Sequence, residues 1–231
     1  MTRVRFTITM SVDGYVAGPE QSTQEPLGKG GEALHEWVLV TRTFREMTGE
    51  GGGETGLDDE RMRAWNLNVG AHIMGRNMFG PIRGDWGDES WRGWWGEEPP
   101  YHAPVFVLTH HAREPLEMQG GTTFHFVTDG IHAALEQATE AAAGKDVALA
   151  GGASAARQYL RAGLVDEMDL HVVPLILGAG ERLFDDLDDG PSGLECVELV
   201  SSPAVAHYRY LRKGGEGGAS IRRADGVDDG S

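Results

Sequence analysis

The sequence predicts an α/β fold: one mostly parallel sheet with an antiparallel C-terminal end and helices on both faces. Three observations predict it. Short runs rich in β-branched and aromatic residues alternate with helical patterns up to about residue 170. Beyond that point strands follow one another without helices between them. No internal repeat or linker divides residues 1–212, which therefore form a single domain, and the Gly-rich polar segment 213–231 is expected to be a tail, because it has too little apolar surface to offset its ordering entropy.

The elements follow in order. "VRFTITMS" (4–11) alternates like a strand and breaks at Asp13-Gly14. After a polar loop, "EALHEWVLVT" sets Leu34, Trp37, Val38 and Thr41 at helical spacing, and "GEGGGETG" (49–56) is a loop. Asp58 and Asp59 suit the first turn of a second helix, with Met62, Trp65 and Val69 on one face, and "AHIMG" is a buried strand. The segment 84–101, with Trp86, Trp91, Trp94 and Trp95, is a long connection. "VFVLT" and "FHFVT" are strands, and Asp129 caps a helix that stops at Gly144. "VALAG" is a strand followed by a helix whose buried face carries Ala156, Tyr159, Leu160 and Leu164. "MDLHVVPLIL" is a longer strand in which Pro174 suggests an edge or a bulge, and "LECVELVS" with "AVAHYRYLR" makes an antiparallel hairpin.

Charge narrows the function. A net charge of -16, from 20 basic and 36 acidic residues, opposes nucleic acid and anionic membrane surfaces as partners. No segment approaches the roughly 18 apolar residues of a membrane span, and the N-terminus lacks a signal-peptide pattern. The lone Cys196 cannot form an internal disulfide, so a cytoplasmic location is expected.

Three strand ends carry groups suited to phosphate. In "VALAGGASAARQYL" a buried strand ends in Gly151 and Gly152, and Ala153, Ser154 and Ala155 open the next helix. Unpaired N–H groups and the helix dipole favour an anion there. Taken alone, the joint serves equally well as a Gly-Gly turn for helix packing with Ser154 as a plain cap. "HIMGRN" repeats the arrangement, with Gly75 and then Arg76, Asn77 and Met78, and an arginine there can pair bidentately with phosphate. "VLTHHAR" is the third, with Thr109, His110, His111 and Arg113 past a strand end. Together they suggest a dinucleotide across the sheet edge.

Other motifs fail in context. Residues 51–56 spell G-x-G-x-x-G without a strand before it. His110 and His111 lack a third ligand at useful spacing, so no metal is expected. The tryptophans of 86–95 can wall a ring pocket, cap a core edge or form a dimer contact. For acid–base chemistry the candidates are Asp13, Glu36, Asp58 and Asp59, each of which also suits a turn, surface or helix-start position.

In this order and spacing, "RFTITMSVDGYVAG", "HIMGRNMF", "VFVLTHHAREPL" and "GGASAARQYLRAGLVDEMDLHVVPLILGAGERLF" resemble the dihydrofolate reductase-like superfamily. The branch is the one that includes the C-terminal reductase domain of the bifunctional riboflavin-biosynthesis deaminase-reductase, and the likeness runs over residues 3–212. The resemblance implies one domain, NADPH as hydride donor, a small heterocyclic substrate of pterin or pyrimidine type, and a homodimer. By position, Gly75, Arg76, Asn77 and Met78 match the turn that approaches the cofactor phosphates, and Thr109 and His110 lie beside the adenosine phosphate. Gly151, Gly152, Ala153, Ser154 and Ala155 match the glycine turn under the pyrophosphate, and Ser11, Asp13 and Gly14 lie near the nicotinamide and substrate.

Asp13 and Asp59 are the catalytic candidates. Asp58 and Asp59 fall near the place of the folate reductases' helix carboxylate, but outside its usual surrounding pattern. Ala150-Gly151 stands where the riboflavin-pathway enzyme has a glutamate, and no deaminase domain is expected ahead of the reductase domain. The reading is an NADPH-dependent reductase acting on a C=N or C=O bond. Its rivals are a non-catalytic NADP(H)-binding module and a partner-binding protein using the Trp-rich surface.

Overall fold

The computed structural model describes residues 2–80, 84–87, 90–187 and 193–214. Its nine-stranded sheet is built from β1 (Val4–Ser11), β3 (Val69–Gly75), β4 (Pro104–Leu108), β5 (Leu116–Glu117), β6 (Thr123–Val127), β7 (Asp146–Gly151), β8 (Glu167–Val173), β10 (Leu194–Ser201) and β11 (Ala206–Arg212). Across the sheet the order is β10-β11-β8-β1-β7-β3-β4-β6-β5. Strands β8, β1, β7, β3, β4 and β6 run parallel, while β11, β10 and β5 pair antiparallel at the two ends. Two short strands, β2 (Tyr15–Ala17) and β9 (Glu181–Arg182), form a separate ribbon beside it.

Alternation along the strands gives the sheet two apolar faces. Phe6, Ile73, Phe106, Val147, Leu149 and Leu170 pack beneath α5 (Gly130–Ala141) and α6 (Ala153–Arg161). Tyr159 of α6 is fully buried there, and its hydroxyl donates to the Ile131 carbonyl at 2.8 Å, so its burial leaves no polar group unpaired. A second cluster, Leu34, Trp37, Val38, Met62 and Val173, joins β8 to α1 (Glu36–Leu39), α2 (Arg42–Met47) and α3 (Leu57–Trp65). The third, Met74, Phe79, Val105, Val107 and Phe124, is covered by Trp86 and Trp91 together with α4 (Arg76–Phe79).

Several expectations shift. The helix expected over 32–41 is a 3-10 turn at Gly31–His35 continued by α1. Val69 does not extend the α3 face but opens β3. Asp129 stands at the N-cap of α5 without a capping bond. Pro174 marks no edge, since β8 lies between β1 and β11 and simply stops at Val173, where proline removes the next ladder donor. From residue 215 onward the expected tail lies outside the described residues.

Candidate functional site

The parallel strands β7, β3 and β4 end on one edge of the sheet, and each is followed by a polar turn. At the end of β3, a Cβ on Gly75 would stand 3.3 Å from the Ala155 Cβ and 3.8 Å from Gly151 O and Gly152 N. The missing side chain is what lets the first turn of α6 sit against the strand end. A register shift between Ile73 and Met74 sets Met74 beside Gly151, whose φ of +106° suits glycine. The Gly151–Gly152 peptide is cis. Gly152, the N-cap of α6, supplies no side-chain acceptor, and the first turn contains no acid. Ser154 is exposed at that end.

Arg76 opens α4 beside this turn. Its Nη1 donates to Thr109 Oγ1 at 3.2 Å, which links the end of β3 to that of β4. Its Nε and Nη2 are buried without an acceptor among the described residues. The guanidinium lies 3.2 Å from the Trp86 ring centroid, and that of Arg113 lies 5.0 Å from the same ring. Burial, with the Arg113 charge added to it, lowers the Arg76 pKa from its ordinary value. The Arg76 N–H groups, with a second cation held beside them, make a receptor for an anion. Thr109 is buried and also accepts from the His111 N–H at 3.2 Å, while His110 and Met78 are exposed.

The sequence matches the family model of the RibD C-terminal domain over residues 2–206. The chain belongs to the RibD C-terminal domain family. A protein named for riboflavin biosynthesis from Shewanella sp. PV-4 shares the fold with a TM-score of 0.56 at 21% identity, covering 92% of this chain and 99% of that one. The Thermotoga maritima diaminohydroxyphosphoribosylaminopyrimidine deaminase/5-amino-6-(5-phosphoribosylamino)uracil reductase aligns with a TM-score of 0.53 at 13% identity. It covers 91% of this chain, which spans 56% of that longer protein. The uncharacterized protein YyaP of Bacillus subtilis (strain 168) is 48% identical over 44 residues, 19% of this chain and 23% of that relative.

Within this RibD C-terminal domain the predicted acids are bonded to partners outside the cradle. Asp13 follows β1 and accepts from the Ser11 hydroxyl at 2.6 Å and from the Leu177 and Gly178 N–H groups at 3.1 and 2.7 Å. The Ser11 bond and those two N–H groups lower its pKa against the opposing effect of burial. It clamps the β1 turn to the loop after β8. Asp59 is buried on α3, where burial raises its pKa but bonds from Thr43 and the charges of Arg63 and Arg42 hold it below the ordinary value. Its Oδ1 accepts the Thr43 N–H at 2.7 Å, so it ties α3 to α2.

Asp58 has partners that sequence could not supply: His207 Nε2 at 3.0 Å and the Ser202 hydroxyl at 2.9 Å. Glu36 is exposed. The Trp86 Nε1 donates to the His111 carbonyl at 2.8 Å and the Trp91 Nε1 to that of Phe79 at 2.9 Å, so both rings cap the edge of the core. Among the described residues no helix is long and apolar enough to cross a membrane.

Proposed function

We propose that this RibD C-terminal domain is an NADPH-dependent reductase that transfers hydride to a C=N or C=O bond of a small heterocycle of pyrimidine or pterin type. The observation that carries the reading is the pair of unpaired Arg76 N–H groups beside Thr109, next to the uncapped start of α6. Arg76, with Arg113 adjacent, would hold the 2'-phosphate, and the backbone from Gly151 to Ala155 would hold the pyrophosphate. Bound NADPH supplies the hydride, while the protein supplies position and electrostatics. The substrate class follows from family membership and from the pyrimidine reductase named among the structural neighbours.

Asp13 and Asp59 are held as charged carboxylates, so in this reading neither is the proton donor and the proton that accompanies hydride comes from solvent. The same fact favours a second reading, a non-catalytic NADP(H)-binding module. NADPH oxidation measured at 340 nm against pterins, ribosylaminopyrimidines and cyclic imines separates the two. Turnover of one of them is expected. Calorimetric binding of NADPH without turnover leaves the module, and no binding removes both.

A further inference from the structure

The two Arg76 N–H groups that lack an acceptor among the described residues, on Nε and Nη2, are also closed to solvent. The Arg76 Cζ lies over the Trp86 ring, 3.2 Å from its centroid. An indole face offers negative potential to a cation but no lone pair to its N–H groups. The guanidinium is therefore stacked without being satisfied, a state that costs free energy and that an oxygen ligand would relieve. Arg113 lies 5.0 Å from the same centroid, so one ring serves two like charges that a phosphate would neutralise. No phosphate oxygen can reach Nε or Nη2 while they stay covered.

Trp86 is held in place mainly through His111. Its Nε1 donates to the His111 carbonyl at 2.8 Å, and the neighbouring Asp85 meets His111 Nδ1 at 2.7 Å. Asp85 is almost fully exposed, so its ion pair with the protonated ring is weak. The indole also meets Phe126 and Phe79 edge-on, at 5.0 and 5.8 Å between centroids. Arg76 does not depend on these contacts for its own position. Its Nη1 is anchored on Thr109 Oγ1, which takes the His111 N–H as well, so lifting the ring leaves the guanidinium aimed at the same place. One neutral hydrogen bond, one exposed pair and a cation–π contact hold the ring down, and paired charge-assisted bonds to a phosphate outweigh them.

We propose that Asp85 and Trp86 form an autoinhibitory strap over Arg76, which a phosphate monoester displaces when it takes Nε and Nη2. The strap rests on the cofactor reading above, and it sets how strongly the cradle prefers a 2'-phosphate. A ligand without that group gains nothing at Arg76 and leaves the ring in place. A ligand that carries it must first lift the ring, so opening offsets part of its affinity.

The probes are 2',5'-ADP, which carries the 2'-phosphate, and 5'-AMP, which lacks it. The full chain is labelled with 5-fluorotryptophan, and Trp86→Phe assigns the Trp86 fluorine resonance. Saturating 2',5'-ADP is expected to move that resonance toward the position of the free amino acid, and 5'-AMP to leave it where it is. Trp86→Ala, checked for folding by its thermal melt, is expected to tighten 2',5'-ADP by about threefold to tenfold in calorimetry, the contribution of a cation–π contact removed from the closed state. Asp85→Asn, which opens the clasp without touching the core, is expected to tighten it by about twofold. Neither variant should change 5'-AMP. Binding of 2',5'-ADP with the Trp86 resonance unmoved, an equal movement with 5'-AMP, or unchanged or weaker 2',5'-ADP binding in both variants overturns the strap and leaves the cofactor reading standing. Failure of both 2',5'-ADP and NADPH to bind overturns the two together.

Discussion

The Nδ1 atoms of His171 and His207 stand 2.6 Å apart in the core, and this contact assigns a proton to each ring. Trp65 donates to His171 Nε2, so the His171 proton lies on Nδ1 and points at His207. His207 then carries its own proton on Nε2, toward Asp58 Oδ1, whose other oxygen accepts from Ser202. Donors and acceptors alternate from Trp65 to Ser202. Neither ring has a nitrogen left for a second proton, so both are neutral.

Stability is therefore expected to decline in mild acid. Burial, with the other ring and Arg61 adding to it, holds His171 well below its ordinary pKa. Burial also lowers His207 against the opposing effect of Asp58. Burial likewise lowers His35, and it lowers His72 to about 4. These groups protonate near pH 6.5 when unfolded, so the stability they contribute is complete above that value and is lost as pH falls, by about 1.4 kcal/mol per pH unit for each ring. Asp169, raised to about 6, acts in the opposite direction and removes part of the slope. Urea melts across this range should show the midpoint falling, and a flat profile would contradict the assignment.

Arg76→Ala should weaken NADPH by about tenfold to a hundredfold, the range of one or two charge-assisted bonds, and leave NADH nearly unchanged. Fluorescence titration with both nucleotides checks this. Equal losses would remove the 2'-phosphate role.

Gly75→Val should damage the cradle and the fold together. The new Cβ would meet that of Ala155 at 3.3 Å, and the two methyls beyond it press further into α6. A cost of about 1–3 kcal/mol is expected from overpacking, with a drop in NADPH affinity. Thermal melts and calorimetry on one preparation report both.

Glu167→Ala should be among the most damaging single changes. It leaves Arg3, Arg5 and Arg209 without the buried carboxylate they share; Arg3 and Arg209 stay in contact with water, so a cost of about 1–3 kcal/mol is expected. Denaturant unfolding at neutral pH measures it, and a loss below about 1 kcal/mol would show that water screens the cluster.

Asp13→Asn separates a clamp from a proton donor. If Asp13 only ties Leu177 and Gly178 to the β1 turn, the variant loses local stability while the pH profile of any turnover keeps its shape. Disappearance of an acidic limb would restore the catalytic assignment.

The strand ends at Gly75-Arg76, Thr109 and Gly151-Gly152 were legible because each depends on neighbours within a few residues: a buried run, a glycine, then a polar helix start. The long strands were legible for the same reason. The short α2, β2 and β9 were not, because two- to six-residue elements carry no period and are held by distant partners, as Asp59 holds Thr43 and Arg182 pairs with Tyr15. The chain Asp58–His207–His171–Trp65 could not be read either. Its members are scattered over three elements, α3, β8 and β11, and only the β8–β11 register brings His171 opposite His207. Arg113 stands just past a strand end in the sequence, but its approach to Trp86 depends on how a long loop folds back.

Strand β1 is the first to be synthesised, yet both of its neighbours in the sheet, β7 and β8, begin more than a hundred residues later, at Asp146 and Glu167. The apolar center of the domain therefore stays unpaired until most of the chain exists. Such long-range pairing makes folding slow and leaves Phe6 and its neighbours exposed to association while synthesis continues. Yield in a heterologous host should accordingly respond to temperature and chaperone supply more than to changes at the cradle.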